Sequence, residues 1–204
     1  MTGLSKDDYK LFVEDALQNC IVVGGACRSG CVFCSCAAQA AAGLRNWTSY
    51  ISNEDLDSVV QYIDPRQTIY FGEGVAFLSC EPFQHPDYLE LLERLERYFP
   101  DTPKRTTTNC KHIDRKDYDR LKKAKMTFVA GINTLDQEKR GELMRSTDNY
   151  ESVIGFLTEC AEKIDKVSLL YTGDLDVLQR DLDLLHSISE RYRDVRTMLR
   201  LIDY

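Results

Sequence analysis

Gly25-Ala26-Cys27-Arg28-Ser29-Gly30-Cys31-Val32-Phe33-Cys34 decides the reading of this chain, because three thiolates spaced four and then three residues apart make an incomplete metal site. Small Ser29 and Gly30 let the backbone loop around a cuboidal iron–sulfur cluster. Cys31 to Cys34 covers about one helical turn, so these two thiolates share a face. Three cysteines leave one iron of such a cluster open to a further ligand. A structural zinc site needs a fourth ligand and draws on paired Cys-x-x-Cys or Cys/His knuckles. The only histidines are His85, His112 and His186, none of them paired. The plain alternative is three cysteines packed as small hydrophobes. Against it stands their place among glycines and an aromatic, directly after the apolar run Cys20-Ile21-Val22-Val23.

Outward from that loop, apolar strands alternate with amphipathic helical segments along the chain, the pattern of a parallel sheet covered by helices. Strands are predicted near residues 20–23, 68–71, 75–78, 105–108, 127–132, 167–171 and 195–202. Helices are predicted near 6–18, 34–44, 53–64, 86–95, 115–124, 149–164 and 175–192. Asn53 is the expected cap of the third helix, and Pro86 suits the first turn of the fourth. The last helix is marked by Leu178, Leu182, Leu185 and Ile188 at helical spacing. The fold class is therefore α/β: a partial (βα)6 TIM-like barrel with parallel strands, preceded by an N-terminal helix. The expected division is a helical extension over 1–18 and a core domain over 19–204, with the sixth strand ending near Tyr204.

Composition agrees. A chain of 204 residues is long enough for a sizeable core. Eight cysteines, no signal peptide and no apolar run near eighteen residues point to a soluble protein of a reducing, cytoplasmic compartment, where thiols serve metals. A formal net charge of −7 offers no general attraction for nucleic acid or an anionic membrane. The basic run Lys104-Arg105 with Lys111, Arg115, Lys116 and Arg120 is interleaved with acids and reads as a solvated face.

The pattern Cys27-x-x-x-Cys31-x-Phe33-Cys34 after an apolar strand resembles the signature of the radical S-adenosylmethionine enzymes. The resemblance implies a [4Fe–4S] cluster on Cys27, Cys31 and Cys34 whose free iron is chelated by S-adenosylmethionine. It further implies reductive cleavage to a 5′-deoxyadenosyl radical that abstracts hydrogen from a substrate. An external one-electron reductant of the flavodoxin or ferredoxin type would feed it. Ser79-Cys80-Glu81-Pro82, read as leaving the second strand at 75–78, resembles the family's Gly-Gly-Glu-Pro segment, and Glu81 would then accept from the methionine amino group. Gly72-Glu73-Gly74, six residues earlier and also after an apolar strand, makes Glu73 the rival. Thr108-Asn109-Cys110 resembles the family's Thr-Asn-Gly and would place Thr108 and Asn109 near the ribose or carboxylate, although a turn-forming Asn is the bland alternative. In Gly131-Ile-Asn133-Thr134-Leu-Asp136, Asn133 or Thr134 would face the ribose. Arg145 would pair with the methionine carboxylate, or else be a solvated surface arginine.

The substrate is not written in these motifs. A peptide or protein is the reading favoured here, with a small-molecule radical enzyme as its rival; a partner protein is compatible with either. The competing class is a non-catalytic iron–sulfur module closed by Cys36 or an outside ligand. Cys36, Cys80 and Cys110 lie near the predicted active rim, where an auxiliary cluster would need thiolates. Cys27→Ala, Cys31→Ala or Cys34→Ala is expected to abolish bound iron after anaerobic reconstitution, while Cys160→Ala retains it. Iron and sulfide assay of the four variants checks this.

Overall fold

Ser5 opens the first helix, since its hydroxyl accepts the Asp8 N–H while Asp7 and Asp8 place negative charge at the free N–H groups of the first turn. The computed structural model describes residues 5–25, 27, 29–34, 45–46, 49–78, 81–145, 150–171, 174–193 and 198–201. In chain order its elements are α1 (Lys6–Ala16), β1 (Cys20–Ile21), β2 (Arg45–Asn46), α2 (Asn53–Val59), β3 (Ile69–Phe71), β4 (Phe77–Leu78), α3 (Tyr88–Tyr98) and β5 (Lys104–Thr108). There follow α4 (Tyr118–Lys123), β6 (Met126–Asn133), α5 (Gln137–Met144), α6 (Tyr150–Glu159), β7 (Ile164–Tyr171), α7 (Leu175–Ile188) and β8 (Met198–Leu201). The chain folds as two units, one of residues 1–27, 35–107 and 123–127, the other of residues 28–34, 108–122 and 128–204.

In the first unit the strand order is β1–β3–β5, with Cys20 opposite Tyr70 and Ile69 opposite Lys104, all parallel. The start of β6 lies beside β5, because Lys104 N–H donates to the Lys125 carbonyl at 3.3 Å and Thr127 Oγ1 donates to the Lys104 carbonyl at 3.3 Å. In the second unit the order is β6–β7–β8, again parallel. Parallel neighbours require long crossovers, which the helices supply. This is the strand order and direction of the predicted (βα)6 barrel. Ile69 and Phe71 are fully buried, as are Leu91, Leu92 and Leu95 on α3, so period-two and helical apolar patterns meet in one core. In the second unit Phe128 and Phe156 pack edge to face at 5.1 Å. No helix among the described residues is long and apolar enough to cross a membrane.

Several expectations need correction. The cap of α2 is Ser52, not Asn53: its hydroxyl takes the Asp55 N–H while the Asp55 carboxylate takes the Ser52 N–H, a reciprocal box that Asn53 has no partner to form. The strand expected at 75–78 shrinks to β4, which pairs with β2 in a separate two-stranded sheet. The second strand of the main sheet is therefore β3. Helix α5 was not foreseen, because Gln137-Glu-Lys-Arg-Gly141 offers no apolar period; Asp136 starts it by accepting the Lys139 N–H at 3.0 Å. Lys104 is not solvated: it is buried, and its ammonium is held by Glu96 at 2.5 Å and by the Phe99 and Thr102 carbonyls. Further along the basic run, Arg115 and Lys116 do sit in solvent, beside Glu159 and Asp114. The helix expected over 34–44 lies outside the described residues.

The chain between β3 and α3 is tied back to α1. Asp15 is fully buried, and its carboxylate accepts the backbone N–H groups of Val75 and, at 2.7 Å, Ala76. Asp15→Ala leaves both donors without that acceptor and is expected to cost about 1–3 kcal/mol. Urea unfolding checks the magnitude, and faster amide exchange at Val75 and Ala76 checks the location.

Candidate functional site

The loop that carries Cys31 and Cys34 is seated on the end of a helix. An α-helix leaves its last carbonyls without intrahelical donors. Here the Leu143 and Met144 carbonyls of α5 take the N–H groups of Val32 at 2.9 Å and Gly30 at 3.1 Å. Cys31 sits between these two bonds. The Cys34 N–H then returns to the Cys31 carbonyl at 3.2 Å, so the expected shared turn is present, with Phe33 half-buried inside it. A Cβ at Gly30 would come within 3.4 Å of the Arg145 Cβ, a tighter approach than most side chains make.

In the first unit, Cys27 leaves β1 through two glycines with left-handed backbones, Gly24 at φ 74° and Gly25 at φ 81°. Residues 49–51 strap this exit, with Gly25 N–H donating to the Ser49 carbonyl at 3.0 Å and Ile51 N–H to Val23 at 3.2 Å. A Cβ on Gly24 would lie 2.0 Å from the Ser49 oxygen, so glycine is required there. Gln84 Nε2 lies 3.9 Å from the Cys27 sulfur, within reach of a weak N–H donation.

Accessibility separates the cysteines. Cys27, Cys31 and Cys34 are half-exposed, whereas Cys20, Cys110 and Cys160 are buried. Burial pushes the Cys20 thiol up to about 11 and the Cys160 thiol up to about 12. Metal ligation needs accessible thiolates, so the buried thiols are poor ligands and the three loop thiols are good ones. The Ser29 hydroxyl, buried in the same loop, has no hydrogen-bond partner among the described residues. Among the described residues no group of three His, Cys, Asp or Glu side chains could hold a metal ion. Three accessible cysteine thiolates are the donor chemistry that an iron–sulfur cluster takes. Cys36 and Cys80 lie outside the described residues.

The two rival glutamates share one region of the first unit. Gly72 ends β3 at φ 78°, and a Cβ there would stand 2.5 Å from the Pro82 ring. The chain thus leaves the strand end at Gly72 and comes back to it at Pro82. Glu73 is half-buried and accepts from the Thr107 hydroxyl at 2.8 Å. Glu81 is 8 % exposed and its Oε1 accepts the Phe83 N–H at 3.3 Å. Asp87 stands at the start of α3 without a side-chain cap bond; the Nδ1 of buried His85 accepts the Asp87 N–H at 3.0 Å, which makes Nε2 the donor to the Ile51 carbonyl at 2.9 Å.

The second unit holds the remaining candidates. Thr108 is buried and accepts the Cys110 N–H at 3.0 Å; Asn109 Oδ1 accepts the Lys111 N–H at 2.9 Å, a local turn. Cys110 occupies the glycine position of the motif and keeps a glycine-like φ of 61°. Asn133, at φ 68°, donates to the Gly131 carbonyl at 3.1 Å. Thr134 is fully buried; its hydroxyl takes the Asp136 N–H at 3.1 Å and also bonds Asp181. Arg145 is exposed and caps α5 with a left-handed φ of 47°. Sequence reasoning missed Arg140, which is fully buried on α5 and donates to the Ile132 carbonyl and, at 3.1 Å, to the Asn109 carbonyl. Its neighbours Glu138 and Lys139 gave it the look of a solvated run.

The family model described as the radical SAM superfamily matches residues 21–187. Among solved structures, anSMEcpe with bound AdoMet and Kp18Cys peptide has a TM-score of 0.61 at 12% identity, covering 90% of this chain and 49% of that one. The cobalamin-dependent S-adenosylmethionine radical enzyme OxsB has a TM-score of 0.50 at 12% identity, covering 86% and 30%. Streptococcus suis SuiB bound to S-adenosylmethionine has a TM-score of 0.41 at 19% identity, covering 90% and 47%. The chain thus spans half or less of the length of these proteins. No curated protein matches it.

Desolvation lowers the His85 imidazole from its ordinary value. The unfolded chain therefore binds that proton at higher pH than the folded one, so stability from neutral His85 is present above about pH 6.5 and is lost as pH falls below it. The unfolding midpoint is expected to drop between neutral and mildly acidic pH, and to drop less in His85→Gln. Equal drops in the two proteins would reject His85 as the group responsible.

Proposed function

Because this chain belongs to the radical SAM superfamily, we propose that it is the core of a radical enzyme in which Cys27, Cys31 and Cys34 hold a [4Fe–4S] cluster and S-adenosylmethionine completes it. The observation that carries the reading is the contrast among thiols: those of the loop are accessible and backbone-anchored, while the other described ones are buried. When bound, the pair supplies reductive cleavage of S-adenosylmethionine to methionine and a 5′-deoxyadenosyl radical that abstracts hydrogen from substrate.

The protein's part is to bind, orient and exclude water. Glu81 or Glu73 accepts from the methionine ammonium; both lie where the chain leaves and rejoins the end of β3. Arg145 offers an exposed guanidinium to the carboxylate, beside the loop that its helix seats. Asn109 and Asn133 supply amides to the ribose side. The Thr108 and Thr134 hydroxyls, like one amide atom of each asparagine, also make local bonds. A peptide or protein substrate is favoured by the peptide-bound state of anSMEcpe, which shares the fold. An external one-electron reductant of the flavodoxin or ferredoxin type and a reducing cytoplasmic setting complete the reading.

Anaerobic protein reconstituted with iron and sulfide, then reduced with dithionite, is expected to form 5′-deoxyadenosine from S-adenosylmethionine and to change its cluster EPR spectrum when that molecule is added. Absence of both results refutes the radical reading in favour of a closed redox module. Comparing Glu81→Gln with Glu73→Gln assigns the ammonium contact. Losing a hydrogen bond to a charged group costs about 1.5–3 kcal/mol, so the true partner's variant should bind about 10- to 100-fold more weakly.

A further inference from the structure

Arg140 is fully buried, and a buried guanidinium is costly unless its donors are used. Two of those donors go to main-chain oxygens of the second unit, the Asn109 carbonyl just past the last residue of β5 and the Ile132 carbonyl near the end of β6. A planar fork of donors is suited to gripping two carbonyls at once.

The residue after each carbonyl has an unusual backbone. Cys110 comes directly after Asn109 and has a φ of 61°; Asn133 comes directly after Ile132 and has a φ of 68°. Left-handed backbones at residues other than glycine persist only where the surroundings over-determine them, and they gather at functional sites. Ile132 is also the residue of a bulge: β6 advances from Gly131 to Asn133 while β7 advances only from Ser168 to Leu169. Bulges re-aim the side chains beside them. Arg140 therefore holds the two peptides that set the directions of Asn109 and Asn133.

The same helix reaches the cluster loop. About one turn beyond Arg140, the Leu143 and Met144 carbonyls seat Val32 and Gly30. Arg145, the next residue, also has a positive φ, the third non-glycine case in this unit, with Asn19 a further one in the first.

We propose that Arg140 is a positioning residue that fixes the left-handed turns after β5 and β6 and, through α5, keeps them at one distance from the loop bearing Cys31 and Cys34. It touches neither cofactor nor substrate. It acts through Asn109, Asn133 and the loop, and the inference rests on the radical SAM reading above.

The test uses the reconstituted, reduced protein with Arg140→Lys, Arg140→Gln and the double variant Arg140→Lys/Cys110→Gly. Arg140→Lys, which cannot grip both carbonyls, is expected to keep the iron content of the parent, to lower its thermal midpoint modestly, to bind S-adenosylmethionine about 10- to 100-fold more weakly, and to show a diminished S-adenosylmethionine-induced EPR change. Adding Cys110→Gly relieves the backbone that Arg140 holds and is expected to restore part of that affinity. If Arg140→Lys and Arg140→Gln bind S-adenosylmethionine as the parent does, the proposal is overturned. It is equally overturned if the variants lose only stability or solubility and Cys110→Gly restores nothing, since Arg140 then serves folding alone. A parent protein without any S-adenosylmethionine-induced EPR change refutes the radical reading itself, a failure distinct from that of Arg140.

Discussion

Two backbone hydrogen bonds, from Gly30 and Val32 to the last carbonyls of α5, are the constraint on which the second half of the site depends. A loop rich in small residues has many conformations and would not by itself hold two thiols in one arrangement. The helix end needs donors that its own ladder cannot provide, and the loop supplies them. One deficiency satisfies the other. The result is that Cys31 and Cys34 lie half-exposed on a turn whose backbone is fixed, which is what metal ligation asks of a thiol.

The first unit solves a related problem by different means. Its glycines permit close approach where any side chain would collide: Gly24 under the Ser49 carbonyl and Gly72 against Pro82. Between Gly72 and Pro82 the chain makes an excursion that includes β4, and Asp15 on α1 secures its start by accepting two consecutive backbone donors. A buried carboxylate is costly unless so occupied. Glu73 stays with the strand end and Glu81 with the proline, so the two rival glutamates flank this excursion.

Much of the fold was legible because its signals are local. Apolar runs marked β3 and β6, and leucines at helical spacing marked α3 and α7. Helix α5 was not legible, since its buried face comprises only Arg140, Leu143 and Met144. The cap of α2 was misplaced by one residue because Ser52 and Asn53 are both good caps in isolation, and only Asp55 reaching back chooses between them. Cys110 could be seen to replace a glycine, but its retention of the glycine conformation could not. Lys104 looked solvated for the same reason as Arg140: burial of a charge depends on carbonyls and carboxylates that folding turns toward it.

By itself the sequence determined the parallel α/β class and the three-cysteine loop, because hydrophobic period and thiol spacing are written in consecutive residues. The family follows from the same pattern and is borne out over residues 21–187. Only the tertiary structure decided which carbonyls anchor that loop, which thiols burial keeps protonated, and that a charged residue of a weakly patterned helix grips two strand ends. Those outcomes depend on which groups are removed from water together, and that is settled by packing between segments far apart in the chain.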